Sequence, residues 1–150
     1  MTHLLDDETI NPFEIAQKAA DQIRKLSGVG THHIALTLGS GWAKAADLIG
    51  ETVSEIPASE VIGFSKPALA GHVGNIRSIK LPNGKFALVI GARTHFYENH
   101  GVRAVVHSVR TAAKSGAKVM VLTNGAGGIK PKWAGGAAVL ISDHINLTAS

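Results

Sequence analysis

Phe13, Ile15, Ala16, Ala19, Ala20, Ile23 and Leu26 recur three and four residues apart, a spacing that lays one apolar stripe along a helix. Asn11 as a capping side chain, Pro12 at the first helical position and Glu14 mark its start. Gly28 supplies a left-handed stop. His33 to Leu38 is a short apolar run bounded by glycine and predicts a buried strand that empties into Gly39-Ser40-Gly41. A second helix is expected from Ala43 to Leu48. Gly74 to Leu81 and Lys85 to Arg93 flank Pro82-Asn83-Gly84, and Asn-Gly between apolar runs predicts an antiparallel hairpin. Val102, Val105, Val106, Val109, Ala112 and Ala113 mark a further helix ended by Gly116. Lys118 to Thr123 makes the next buried strand, and Ala138 to Leu147 is a last apolar segment. Strands alternating with helices, plus one hairpin, predict an α/β fold: a mixed β-sheet flanked by helices on both faces.

At 150 residues one domain is expected. A hydrophobic share of 45% and a charged share of 17% place the chain in the globular class. Lysine and arginine exceed aspartate and glutamate by 15 to 11, a basic excess that suits an anionic small molecule as well as nucleic acid. Basic runs do not interleave with aromatic residues, so a single-strand stacking surface is not expected. The absence of cysteine removes disulfide and thiolate chemistry. Asp6, Asp7 and Glu8 stand where a secretion signal would be basic and apolar. The apolar stretches fall short of a membrane span. A cytosolic protein without membrane or nucleic-acid partners is the expectation.

Three glycine-bearing loops follow three predicted strands. Gly39-Ser40-Gly41 lets backbone N–H groups approach an anion at a helix start; the alternative is a plain tight turn. The third glycine of a dinucleotide fingerprint is replaced by Lys44, and no P-loop occurs. After the hairpin come Arg93, His95, Tyr97 and Glu98. Alternation in extended chain would put the first three on one face. There an arginine fork grips phosphate, a histidine adds a donor, and a tyrosine offers a flat wall. Glu98 could hold His95 in one tautomer and raise its basicity; the alternative is a solvated strand end with an incidental ion pair. Asn124-Gly125-Ala126-Gly127-Gly128 is a candidate anion nest or a structural turn. A sheet would gather these strand ends on one edge. Gly71-His72-Val73-Gly74 permits a flap carrying a histidine, or leaves an ordinary surface histidine. His32 and His33 are adjacent and would point oppositely in a strand, and no metal site is expected. Trp42 and Trp133 are assigned to packing.

In chain order LGSG (38–41), GHVG (71–74), R-x-H-x-Y-E (93–98), TNGAGG (123–128) and SDHINL (142–147) resemble purine nucleoside phosphorylases of the trimeric class. The resemblance implies a purine/uridine phosphorylase-like fold and reversible phosphorolysis of a purine nucleoside to base and ribose 1-phosphate, without cofactor or metal. Ser40, His72, Arg93, His95 and the Gly125 N–H would bind phosphate. Tyr97, Asn124 and Ala126 would line the nucleoside side, and Glu98 would orient His95 as its catalytic partner. Gly125 stands where such proteins often carry alanine. The resemblance also implies that residues 1–150 are the N-terminal part of a single phosphorylase domain, with the base-reading residues further on. Full-length members are expected to be homotrimers. Alone, this chain is expected to be inert, with an unprotected sheet edge where later strands would pair. Methylthioadenosine phosphorylase and a non-catalytic phosphate- or nucleoside-binding module are the alternatives; Tyr97-Glu98 favours the purine nucleoside enzyme over the first.

Overall fold

A computed structural model describes residues 3–39, 42–64 and 74–147. Helix α1 (Pro12–Ser27) begins where Asn11 accepts a hydrogen bond from the Phe13 N–H and ends at Gly28 in the left-handed region. Ile15, Ala16, Ala19, Ala20 and Ile23 are buried along its inner face, while Phe13 and Leu26 stay half exposed. Five strands follow: β1 (Ile34–Thr37), β2 (Glu51–Pro57), β3 (Asn75–Lys80), β4 (Phe86–Ile90) and β5 (Val119–Leu122). They form one mixed sheet in the order β2-β3-β4-β1-β5.

Strands β3 and β4 are the expected hairpin, antiparallel with Ile76 opposite Ile90 and Lys80 opposite Phe86. Gly84 turns it at φ +78°, where Asn83 also accepts from the Lys85 N–H at 3.0 Å. Strand β1 lies parallel to both β4 and β5. β2 has no counterpart among the elements read from the sequence. It pairs antiparallel with β3, with a bulge between Thr52 and Ser54.

Side chains alternate across the sheet and feed two cores. Ala35, Ile76, Leu88 and Ile90 face α1 and Ala112. Leu36, Ile79, Ala87 and Val89 face the other way, toward Ala45 and Ala46. Those two alanines belong to Ala43–Leu48, which is a 3-10 helix rather than an α-helix, so the second face carries a thinner cover. Among the described helices none is long and apolar enough to cross a membrane.

Three further expectations are corrected. The helix after the hairpin is broken at Val106 into α2 (Gly101–Val105) and α3 (His107–Lys114). The break turns Val102 and Val109 outward and puts Ala104, His107, Thr111 and Ala112 inside. His107 is held there by Nε2–H donating to the Ile62 carbonyl at 3.0 Å, which satisfies one polar atom of an otherwise costly buried ring. β5 is the second correction. Val119, Val121 and Leu122 are exposed, because among the described residues β5 pairs with β1 alone and only Met120 packs against the core. The apolar segment after it, with Leu140 and Ile145, is likewise exposed and forms no strand. Trp42 and Trp133 do not pack inside; they are 47% and 45% exposed, with Lys130 over the Trp133 ring.

Candidate phosphate-binding site

Because β1 lies between β4 and β5 and parallel to both, with Thr37 level with Ile90 and Leu122, their C-terminal ends open on one edge of the sheet, where ligands of α/β sheets bind. Gly39 follows β1, Arg93 follows β4, and Thr123 follows β5 directly. The Arg93 guanidinium joins all three. Its Nε–H donates to His95 Nε2 at 3.2 Å and its Nη1 donates to the Thr123 carbonyl at 3.1 Å. Its third side lies on Gly39: a Cβ built there would sit 3.3 Å from Nη2. Any side chain at Gly39 would press on the arginine. Arg93 is otherwise exposed, so its face toward solvent can meet an anion.

His95 caps a short 3-10 helix, Phe96–Glu98, whose third residue reaches back to it. One carboxylate oxygen, Glu98 Oε1, accepts from the His95 backbone N–H at 2.8 Å and pairs with ring Nδ1 at 2.9 Å. Since Arg93 donates to Nε2, the ring proton belongs on Nδ1, directed at Glu98. Partial burial opposes ionisation of Glu98. The hydrogen bonds from the His95 N–H and ring, with the charges of His95 and His100, outweigh it and hold the carboxyl below its usual range. Glu98 therefore stays anionic beside the imidazole.

Tyr97 stacks on His95 with ring centroids 4.8 Å apart and planes 16° from parallel. Alternation in an extended chain is not what brings them together. β4 stops at Ile90, residues 91–95 are irregular, and the 3-10 turn folds Tyr97 back over the imidazole. The tyrosine is 75% exposed, which leaves its outer face as a free wall. Asn124, Gly125 and Ala126 run on from Thr123 and are exposed; a Cβ on Gly125 would meet nothing within 4 Å. They share the edge with Arg93 and His95 without a hydrogen bond to either. Ser40 and His72 lie outside the described residues. Among the described residues no group of three or more His, Asp and Glu could hold a metal ion.

Sequence reasoning overlooked Thr123 and Thr37. Thr123 donates both its hydroxyl, at 2.7 Å, and its N–H, at 3.2 Å, to the Thr37 carbonyl. Its place as the last residue of the strand predicted from Lys118 to Thr123 was the available signal.

Residues 33–150 match the phosphorylase superfamily. The chain belongs to that superfamily. It is 54% identical over 149 residues to a purine nucleoside phosphorylase of Cellulomonas sp, covering 97% of this chain and 53% of that protein. It is 44% identical over 143 residues to the purine nucleoside phosphorylase of Mycobacterium tuberculosis, covering 95% of this chain and 53% of that protein. The chain thus spans about half the length of the curated relatives it matches. Among solved structures, the purine nucleoside phosphorylase from Schistosoma mansoni in complex with inosine superposes with TM-score 0.70 at 28% identity, over 85% of this chain and 44% of that one. Isoform 2 from the same organism, in complex with cytosine and ribose-1-phosphate, gives 0.69 at 31% identity, over 87% and 43%. The superfamily fold accounts for the mixed sheet with helices on its faces.

Proposed function

We propose that this chain supplies the phosphate- and ribose-binding part of a purine nucleoside phosphorylase, which converts a purine nucleoside and phosphate reversibly into free base and ribose 1-phosphate. The observation that carries the reading is the Arg93 guanidinium, held between Gly39, His95 and Thr123 at three strand ends while its solvent face stays open. A planar, permanently charged fork in that setting suits an oxyanion. His95 accepts from the Nε–H of that fork and is itself held through Nδ1 by the anionic Glu98, which fixes the imidazole beside the anion's place.

The chemistry follows from the charge that develops. Cleaving a glycosidic bond passes through an oxocarbenium-like state with positive charge on the sugar. A phosphate fixed beneath the ring by Arg93, His95 and, in this reading, Ser40, His72 and the Gly125 N–H stabilises that charge and then attacks the anomeric carbon. The glycosidic pair of electrons leaves with the base, and a phosphate oxygen makes the new bond. Tyr97, Asn124 and Ala126 line the sugar side. No cofactor or metal enters this scheme. A homotrimeric assembly belongs to the same proposal and is supported by the motif resemblance to the trimeric class; the cytosolic setting expected from the acidic N-terminal residues goes with it.

Calorimetric titration with phosphate, inosine and adenosine, combined with chromatography for released base, tests the reading. Each charge-assisted bond to phosphate is worth about 1.5–3 kcal/mol. Arg93→Ala should therefore weaken phosphate binding roughly tenfold or more while leaving any nucleoside affinity nearly unchanged. Phosphate binding that never leads to base release in a protein supplied with the remaining part of the subunit would favour a non-catalytic module. Phosphate affinity indifferent to Arg93 would overturn the assignment of the site.

A further inference from the structure

We propose that Thr123 is a positioning residue for Arg93: it fastens the end of β5 to Thr37 so that its own carbonyl fixes the guanidinium in the orientation that meets the anion. The inference rests on the reading above, in which Arg93 binds phosphate.

β5 is an edge strand among the described residues, and its last registered pair is Leu122 with Thr37. The end of a one-sided ladder is where fraying starts. Its next backbone bond, from the Thr123 N–H to the Thr37 carbonyl, is long at 3.2 Å. The Thr123 hydroxyl reaches the same oxygen at 2.7 Å, so two donors from one residue fill both lone pairs of one acceptor. Thr37 is 2% exposed and ends β1, which is paired on both sides, by β4 and β5, so it is a firmer anchor than the edge itself. With Thr123 fixed on one side, its carbonyl faces Arg93 Nη1 at 3.1 Å.

The arginine needs this help. It is exposed, and a free arginine side chain loses much rotamer freedom when it is ordered. Ordering it before the anion arrives leaves less to be lost on binding. Each strand end contributes one restraint: Gly39 a close backbone surface, His95 an acceptor for Nε, and Thr123 an acceptor for Nη1. Thr123 is the only one of the three whose contribution passes through a hydroxyl that can be removed without touching Arg93. Valine keeps its shape and deletes the hydroxyl; serine keeps the hydroxyl.

The test uses the Arg93 guanidinium N–H signals, Nη as well as Nε, in nitrogen-15 NMR spectra of the whole chain, assigned by their loss in Arg93→Lys, together with titration by inorganic phosphate. In the unsubstituted chain the guanidinium should show a through-space contact to the Thr123 α-proton and slow exchange with water. Thr123→Val should speed that exchange roughly fivefold and weaken phosphate binding by a similar factor, while β4 amide signals stay in place. Thr123→Ser should restore both. Absence of the contact in the unsubstituted chain, or an unchanged Arg93 signal in Thr123→Val, overturns the proposal even where a variant folds poorly. If no phosphate binds but the Arg93 signal follows Thr123 as described, the positioning role stands and the phosphorylase reading falls.

Discussion

His32 should make the fold sensitive to mild acid. Its ring is 1% exposed and its Nε2 lies 2.9 Å from the Ser78 hydroxyl. Burial, followed by the positive charges of Arg24 and His33, depresses its pKa from 6.5 to about 4. The unfolded chain takes up this proton near pH 6.5, whereas the folded chain resists it until about 4. Stability is therefore fully present above the unfolded value and drains away as pH falls through that window. Linkage over these two pKa values gives a loss of roughly 2 kcal/mol by about pH 5 relative to neutral pH. His107 is shifted in the same direction by burial, against the pull of its bond to Ile62, so the unsubstituted chain should lose more than His32 alone accounts for. The depressed Glu98 acts at lower pH, where the carboxyl itself titrates. Urea unfolding at a series of pH values, run on the unsubstituted chain and on His32→Gln, isolates the histidine: the difference between the two curves should shrink by roughly 2 kcal/mol toward about pH 5. Parallel curves across that range would refute the reasoning.

Gly63 stands at φ +80°, and a Cβ there would lie 2.5 Å from His107 Nε2. Gly63→Ala should cost about 2–5 kcal/mol, from left-handed backbone strain and the displaced hydrogen bond to Ile62, read as a lower urea midpoint. Asn11 caps α1 through a 2.9 Å bond from the Phe13 N–H. Asn11→Ala should cost about 1 kcal/mol, and a circular-dichroism melt unchanged from the parent would contradict that.

What could be read in advance follows from where the signal lies. α1 carries a cap, a proline, a five-residue buried stripe and a glycine stop, and all of them act as their chemistry dictates. The hairpin announces itself through Asn83-Gly84. β2 escaped notice because an edge strand needs few apolar residues. Its inward positions are Thr52, Ser54 and Ile56, and a bulge breaks the period. α2 and α3 misled through their valines: a break at Val106 rotates the helix and lets a histidine and a threonine occupy the core. The Arg93, His95 and Glu98 grouping was visible because its contacts are local and made by side chains. The part supplied by Thr37 and Thr123 joins a hydroxyl to one backbone carbonyl and a second carbonyl to Arg93, and carbonyls are carried by every residue, so a threonine at a strand end is only a faint mark. β5 looked buried because its composition suits a strand covered on both faces, a cover that the described residues do not provide.

The central claim is that the ends of β1, β4 and β5 jointly hold one oxyanion through Arg93. Titrating inorganic phosphate into nitrogen-15-labelled chain reads this residue by residue. Signals of Gly39, Arg93, His95 and Thr123 should shift together along one saturating curve, and Arg93→Ala should abolish the response at the other three. Shifts confined to surfaces away from this edge, or a response that survives the loss of Arg93, would contradict the account.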